Sequence, residues 1–330
     1  MDNFKYRGSV RWGIIGCGAV TEVKSGPPYQ QTPNFRLLAV MRRNAQKAAD
    51  YAERHKVPKF YTHAEKLILD PEIDAVYIAT PPDTHKFYAL QVAQANKPCC
   101  IEKPMAPSYA DSLAIYEAFS SRGLPLFVAY YRRSLPRFLK IKEWLDDYKI
   151  GDVRHIRWQF GRPPSQTDLG GMYNWRTDER IAPGGYFDDL ASHGLDLFTF
   201  LLGDIEKVSG TSRNQQGLYT AKDAIAACWV HRNGVTGSAN WNFGTYSRED
   251  KVAILGSKGK IEFSIFGEDD IVLENEEGVT DIFIHHPFHV QQYHVANIRA
   301  HLLDNREHPS TGKSGLHTSW IMDNILGRMD

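Results

Sequence analysis

The first residues that could do chemistry in this 330-residue chain are Gly16-Cys17-Gly18-Ala19-Val20-Thr21, directly behind the apolar run Val10 to Ile15. A turn this tight needs glycine for its backbone angles and for the close approach of a pyrophosphate. A helix starting behind it offers free N–H donors and a favourable dipole to that anion. Gly16, Gly18, Ala19 and Val20 are therefore expected to contact a dinucleotide, although Thr21 stands where the fingerprint has its third glycine. Taken alone, the pair of glycines fits an ordinary strand-to-helix turn equally well. The next apolar run, Leu37 to Met41, arrives at Arg42-Arg43-Asn44. A carboxylate there would hold a ribose 2′-hydroxyl and repel a 2′-phosphate, whereas a guanidinium pairs with that phosphate in bidentate fashion. With no Asp or Glu at the position, Arg42 and Arg43 point to NADP, and NAD is the alternative. Two solvated arginines opening a surface loop would read the same way.

The elements that must position these residues alternate up to about residue 128. Strand-like runs at Val10 to Ile15, Leu37 to Met41, Ala75 to Ala79, Cys99 to Glu102 and Leu126 to Tyr130 are separated by helical stretches such as Ala45 to Arg54, His85 to Ala95 and Ser108 to Ser121. Apolar strands in strict alternation with helices predict a parallel sheet covered on both faces. Near residue 130 the pattern changes. A helix at Pro136 to Tyr148, an alternating run at Val153 to Gly161 and a helix at Tyr186 to Leu202 precede strand runs separated by turns such as Arg232-Asn233-Gly234 and Ser257-Lys258-Gly259. Strands without intervening helices imply an antiparallel sheet with one face left open. A last helix is expected at Gln291 to Leu303. The reading is a dinucleotide-binding domain over residues 1–129 and a second α/β domain over 130–330.

Composition excludes several classes. The 39 basic and 39 acidic side chains cancel, which gives no global pull toward nucleic acid or an anionic membrane surface. The four cysteines offer no CxxC pair and no disulfide framework. Met1 to Arg11 carries Lys5, Arg7 and Arg11 without an apolar run of signal-peptide length, and no stretch reaches membrane-spanning length. The expected setting is cytoplasmic. His285, His286 and His289 invite a metal, but no carboxylate or cysteine completes a ligand set, so no metal site is assigned.

Further motifs fall in order: Ala79-Thr80-Pro81-Pro82-Asp83-Thr84-His85, Glu102-Lys103-Pro104, Trp175-Arg176, Gly184-Gly185, Asp189-Leu190-Ala191-Ser192-His193 and Leu255-Gly256-Ser257-Lys258-Gly259. Together with Gly16 to Thr21 this series resembles the Gfo/Idh/MocA oxidoreductase family, to which glucose–fructose oxidoreductase and inositol dehydrogenase belong. The resemblance covers nearly the whole chain. It implies a Rossmann domain followed by an α/β domain with a large, mostly antiparallel sheet, and hydride transfer between a nicotinamide and a sugar, keto-sugar or polyol. It places Lys103 on the family's catalytic lysine, Asp189 and His193 on its acid/base pair, and a cis peptide bond between Lys103 and Pro104. It also implies face-to-face pairing of second-domain sheets into a homodimer or homotetramer, where an exposed apolar face would otherwise be a liability.

The chemistry suits those residues. An ammonium held against the reacting oxygen stabilises a developing alkoxide, or polarises a carbonyl in the reverse direction. Histidine suits the proton exchange because its ordinary pKa lies nearest neutrality. Asp189 and His193 are four residues apart, so on a helix they share one face. Each also has a bland reading: a solvated lysine in a loop, a helix-face histidine, an aspartate favouring a helix N-terminus. Thr80, Pro81 and His85 are expected near the cofactor, with Glu102 holding the nicotinamide ribose or partnering Lys103. Tyr131, Arg132, Trp175 and Arg176 are expected on the substrate side, packing at the domain junction being their alternative. Two other functions remain open. A cofactor-binding sugar sensor should have lost Lys103, Asp189 or His193, and all are present. A redox-assisted, NAD-dependent glycoside hydrolase is disfavoured by Arg42.

Overall fold

The computed structural model describes residues 8–329, so Lys5 and Arg7 lie outside the described residues. The chain divides into two compact units. The first comprises residues up to Leu135 together with Pro287–Leu316, and the second comprises Pro136–His286 and the stretch from His317.

The first unit holds a six-stranded, all-parallel sheet in the order β3-β2-β1-β4-β5-β6. Its strands are β1 (Val10–Ile15), β2 (Phe35–Met41), β3 (Lys59–Tyr61), β4 (Ala75–Ile78), β5 (Cys99–Ile101) and β6 (Leu126–Val128). This is the doubly wound order, with its switch point between β1 and β4. The central strands are apolar because both faces are covered: β4, β5 and β6 are buried at every position. The three-residue β3 was not anticipated, since Lys59 and Tyr61 are only half-buried and give no apolar run. One face of the sheet packs Trp12, Tyr29, Phe127, Val295 and Ile298 into a single cluster. Val295 and Ile298 belong to helix Gln292–Asp304, which explains why the Pro287–Leu316 segment returns to this unit instead of staying with the remainder of 130–330.

The second unit holds an eight-stranded sheet in the order β14-β13-β12-β11-β7-β10-β9-β8. Its strands are β7 (Val153–Gly161), β8 (Ile205–Arg213), β9 (Ala224–His231), β10 (Thr236–Asn242), β11 (Glu249–Gly256), β12 (Gly259–Phe263), β13 (Ile271–Asn275) and β14 (Gly278–Ile282). Every neighbouring pair is antiparallel except β7 with β10. On β7 the buried Ile156, Trp158 and Phe160 alternate with the outward Arg157 and Gln159. The buried side packs on helix Tyr186–Leu202, where a side chain at Gly194 would meet the Trp158 ring at 2.4 Å. Only glycine lets helix and sheet approach this closely.

The open side differs from the expectation of an apolar face. Arg157, Gln159, Asn240 and Lys251 stand on it beside small residues such as Ala226 and Cys228. Along β7, β9 and β10 buried and outward positions alternate, so apolar residues are spent on the helix side and the other side is left polar or small. Among the described residues, no helix is long and apolar enough to cross a membrane.

Candidate active site

In the first unit the sheet's switch point brings the ends of β1 and β4 together. Gly16 has φ +93°, and a Cβ there would lie 2.7 Å from Thr80 Cγ2 and 2.9 Å from the Thr80 nitrogen. Glycine is thus required on two counts, the backbone angle and the closeness of the neighbouring turn. Gly18 precedes helix Ala19–Val23, which Ala19 and Val20 open. That helix is only five residues long, and Pro27 and Pro28 soon follow. The expected dipole is therefore that of little more than one turn. Thr21, at the missing third glycine, is buried and donates its hydroxyl to the Gly18 carbonyl at 2.9 Å. Tyr51 Oη donates to the Thr21 carbonyl at 2.8 Å and so ties the turn to helix Ala45–Arg54.

A cavity of about 380 Å³ opens beside this turn. Gly16, Gly18, Thr80 and Pro81 line it, as do Arg42 and Arg43 at the end of β2. One guanidinium nitrogen of Arg42 donates to the Cys17 carbonyl at 3.2 Å, which anchors the side chain at the cavity wall. Asn44, Lys47 and Tyr88 line the same cavity and were not anticipated. Asn44 accepts a hydrogen bond from the Lys47 nitrogen at 2.9 Å and caps helix Ala45–Arg54. An asparagine opening an amphipathic run was the available signal for that cap, and hence for a third cation one turn on.

His85 stands elsewhere. It is fully buried, with Nε2 2.8 Å from the Thr80 carbonyl and Nδ1 3.1 Å from that of Pro104. Burial holds its pKa below the ordinary value, against the raising effect of the carbonyls it faces. It braces the β4 turn against the loop after β5 and does not line the cavity, a departure from its expected contact with the cofactor. Glu102 directly follows β5 and is 7% exposed. Its Oε1 accepts from Tyr77 Oη and Gln291 Nε2, both at 2.6 Å, and its Oε2 from the Lys103 backbone nitrogen at 3.2 Å. Gln291 joins this carboxylate across 189 residues of sequence, a pairing with no local signal. The Lys103–Pro104 bond is cis. Tyr131 and Arg132 lie in the short helix Tyr131–Ser134, with the Arg132 guanidinium 5.0 Å from the Tyr131 ring centre.

In the second unit Gly184 and Gly185 lead into helix Tyr186–Leu202, which carries Asp188, Asp189 and His193. Asp188 is buried, accepts from the Gly184 nitrogen at 2.8 Å and has its pKa raised to about 6 by burial. Asp189 instead stands at the surface of the helix, where Arg176 Nε donates to Oδ2 at 2.8 Å. The Arg176 guanidinium lies 4.3 Å from the Trp175 ring centre, so the Trp175-Arg176 pair serves as a clamp on Asp189. His193 is 5% exposed and meets the Phe266 ring edge-on at 5.9 Å. The expected residues thus fall into two groups. Gly16, Gly18, Arg42, Arg43, Thr80 and Pro81 converge in the first unit, and Trp175, Arg176, Asp189 and His193 cluster in the second.

Two family models match the chain. One, described as an oxidoreductase family with an NAD-binding Rossmann fold, spans residues 10–130. The other, the GFO/IDH/MocA C-terminal domain, spans residues 138–262. An oxidoreductase of Formosa agariphila is 37% identical over 321 residues, covering 96% of this chain and 98% of the relative. Myo-inositol 2-dehydrogenase of Thermotoga maritima is 26% identical over 275 residues, covering 82% and 79%. Among solved structures, a levoglucosan dehydrogenase in complex with NADH and levoglucosan matches with a TM-score of 0.83 at 21% identity, over 97% of each chain. That last likeness is one of fold.

Proposed function

The chain belongs to the Gfo/Idh/MocA oxidoreductase family, and from that premise we propose that it transfers a hydride between NADP and a sugar, keto-sugar or polyol. The clamp of Arg176 on Asp189, on the same helix as His193, is the observation that carries the reading. A carboxylate oriented by a guanidinium, four residues before a histidine on one helix, suits a proton-exchange pair. The relative that acts on myo-inositol supports a polyhydroxyl substrate.

The cation-lined cavity at Gly16 to Gly18 fits a phosphorylated dinucleotide: Gly16 admits close approach, and Arg42, Arg43 and Lys47 supply positive charge where a 2′-phosphate would lie. When bound, the nicotinamide supplies the two-electron acceptor or donor. In the oxidative direction Lys103 donates from Nζ to the reacting oxygen and stabilises its developing negative charge. His193 takes the hydroxyl proton, and Asp189 orients the hydroxyl that loses it. In reduction the same groups act in reverse, Lys103 polarising the carbonyl and His193 returning the proton. Glu102, held by Tyr77 and Gln291, fixes the backbone from which Lys103 projects. We read the open face of the eight-stranded sheet as the surface through which copies form a homodimer or homotetramer, and the chain as cytoplasmic.

The test is turnover with NADPH and NADH across keto-sugars and polyols, together with Lys103→Met. The expected outcome is turnover with NADPH and a loss of about a hundred-fold or more in kcat for the variant, the scale of removing one transition-state donor. Tight NADPH binding without turnover on any substrate, in an assay where a known dehydrogenase performs, would sink the reading.

A further inference from the structure

Arg162 follows the end of β7 and precedes Pro163 and Pro164. Its guanidinium lies 3.9 Å from the Tyr186 ring centre and 5.7 Å from that of Phe243. Among the described residues it forms no ion pair, and its Nε is buried without a hydrogen-bond partner. The nearby carboxylates are already engaged. Asp168 accepts from the Ser165 nitrogen, Ser165 Oγ and Tyr186 Oη. Asp223 accepts from the backbone nitrogens of Gln215 and Gln216 and from Gln216 Nε2. A second orphan adjoins the first: Tyr219 Oη is buried without a partner, and its ring stands edge-on to Tyr186 with centres 6.1 Å apart. Tyr219 also lines a cavity of about 300 Å³ with Tyr173, Asn174, Asp168, Asp178, Glu179 and Arg180, which Arg162 itself does not line.

The position of this cluster gives it meaning. Tyr186, Asp189 and His193 fall at i, i+3 and i+7 of one helix, so they share a face. Arg162 therefore sits over the turn just before the proton-exchange pair. A guanidinium whose Nε is buried against aromatic rings without an acceptor is costly unless an acceptor arrives, and the best fit to a guanidinium is a carboxylate. We propose that Arg162 recognises a carboxylate carried by the substrate, and that the preferred substrates are sugar acids, with Tyr219 Oη bonding a neighbouring oxygen. The inference rests on the sugar-oxidoreductase reading above and narrows its substrate class.

The experiment uses the full-length protein saturated with NADP and titrates it calorimetrically with D-gluconate and D-glucuronate, each beside its neutral counterpart. The wild type, Arg162→Gln and Arg162→Lys are compared, and kcat/KM is then measured for whichever compounds turn over. The acids are expected to bind the wild type more tightly than their neutral counterparts. In Arg162→Gln the acid-over-neutral ratio should fall by about thirty-fold, the scale of a charge-assisted hydrogen-bond pair, and Arg162→Lys should restore part of it. A wild type that favours neutral sugars, or an equal loss on both classes in Arg162→Gln, overturns the proposal. Turnover confined to neutral sugars overturns it while leaving the broader reading standing. Arg162-dependent binding of acids without turnover does the reverse. Should Arg162→Gln not fold, the wild-type preference and Arg162→Lys decide.

Discussion

Arg176 Nε donates to Asp189 Oδ2 at 2.8 Å while its guanidinium rests 4.3 Å from the Trp175 ring. The carboxylate is thereby fixed in direction, on the helix that also carries His193. Replacing Arg176 by methionine keeps the stem on Trp175 and removes the donor. We expect kcat to fall by about ten- to a hundred-fold with the cofactor dissociation constant unchanged, the range of a misoriented proton-transfer group. Steady-state kinetics beside a fluorescence titration with NADPH would check this, and a variant at full kcat would show that the clamp is structural only.

Cofactor choice should reside in three cations. The double variant Arg42→Ala, Arg43→Ala removes two of those lining the cavity and leaves Lys47. KM for NADPH should rise by about ten- to a hundred-fold, as expected for lost charge-assisted contacts to a phosphate, while KM for NADH changes little. Raised salt should weaken NADPH more than NADH in the wild type.

Acid should destabilise the first unit through its buried histidines. His294 and His308 pack ring to ring at 4.7 Å, and burial lowers the pKa of both, that of His308 to about 3. Groups neutral in the fold and protonated in the unfolded chain contribute stability that is complete above pH 6.5. That stability drains away as pH falls toward the lowered folded value. The melting temperature should therefore drop between pH 7 and pH 4, and His308→Asn should flatten this slope whatever its effect at pH 7. A parallel slope in the variant would exclude His308 as a source.

Asp188 should act with the opposite sign. Its pKa is raised to about 6 by burial, so it favours folding when protonated and that advantage is lost as pH rises through 6. Asp188→Asn retains an oxygen for the Gly184 nitrogen. It should raise the melting temperature at pH 8 relative to the wild type, with the gain vanishing near pH 4.

The cofactor half of this molecule was readable because its signals are local. A glycine turn behind an apolar run, arginines ending the next run and helices of ordinary length each occupy a few consecutive residues. In the second unit, helix Tyr186–Leu202 likewise begins and ends where its periodicity does. What the sequence withheld is joined over distance or carries weak patterning. Gln291 reaches Glu102 through 189 residues, and no propensity encodes that. The three-residue β3 is held by pairing with β2 instead of its own apolarity. His85 looked like a cavity residue because it follows Thr80 and Pro81, yet a helix starting at His85 turns its ring inward. Arg162 gave no signal at all, since only folding sets it against Tyr186.

The return of Pro287–Leu316 to the first unit has a consequence for how the protein is made. A ribosome that has emitted residues 1–135 has emitted every strand of the parallel sheet but not the helix bearing Val295 and Ile298, nor the glutamine that binds Glu102. Part of one face of that sheet must wait, apolar and uncovered, while about half the chain is still being translated. Cutting the gene near residue 135 would leave the nascent half in that state permanently. Moving this cofactor module onto another partner in evolution therefore takes three coordinated breaks in the chain instead of one.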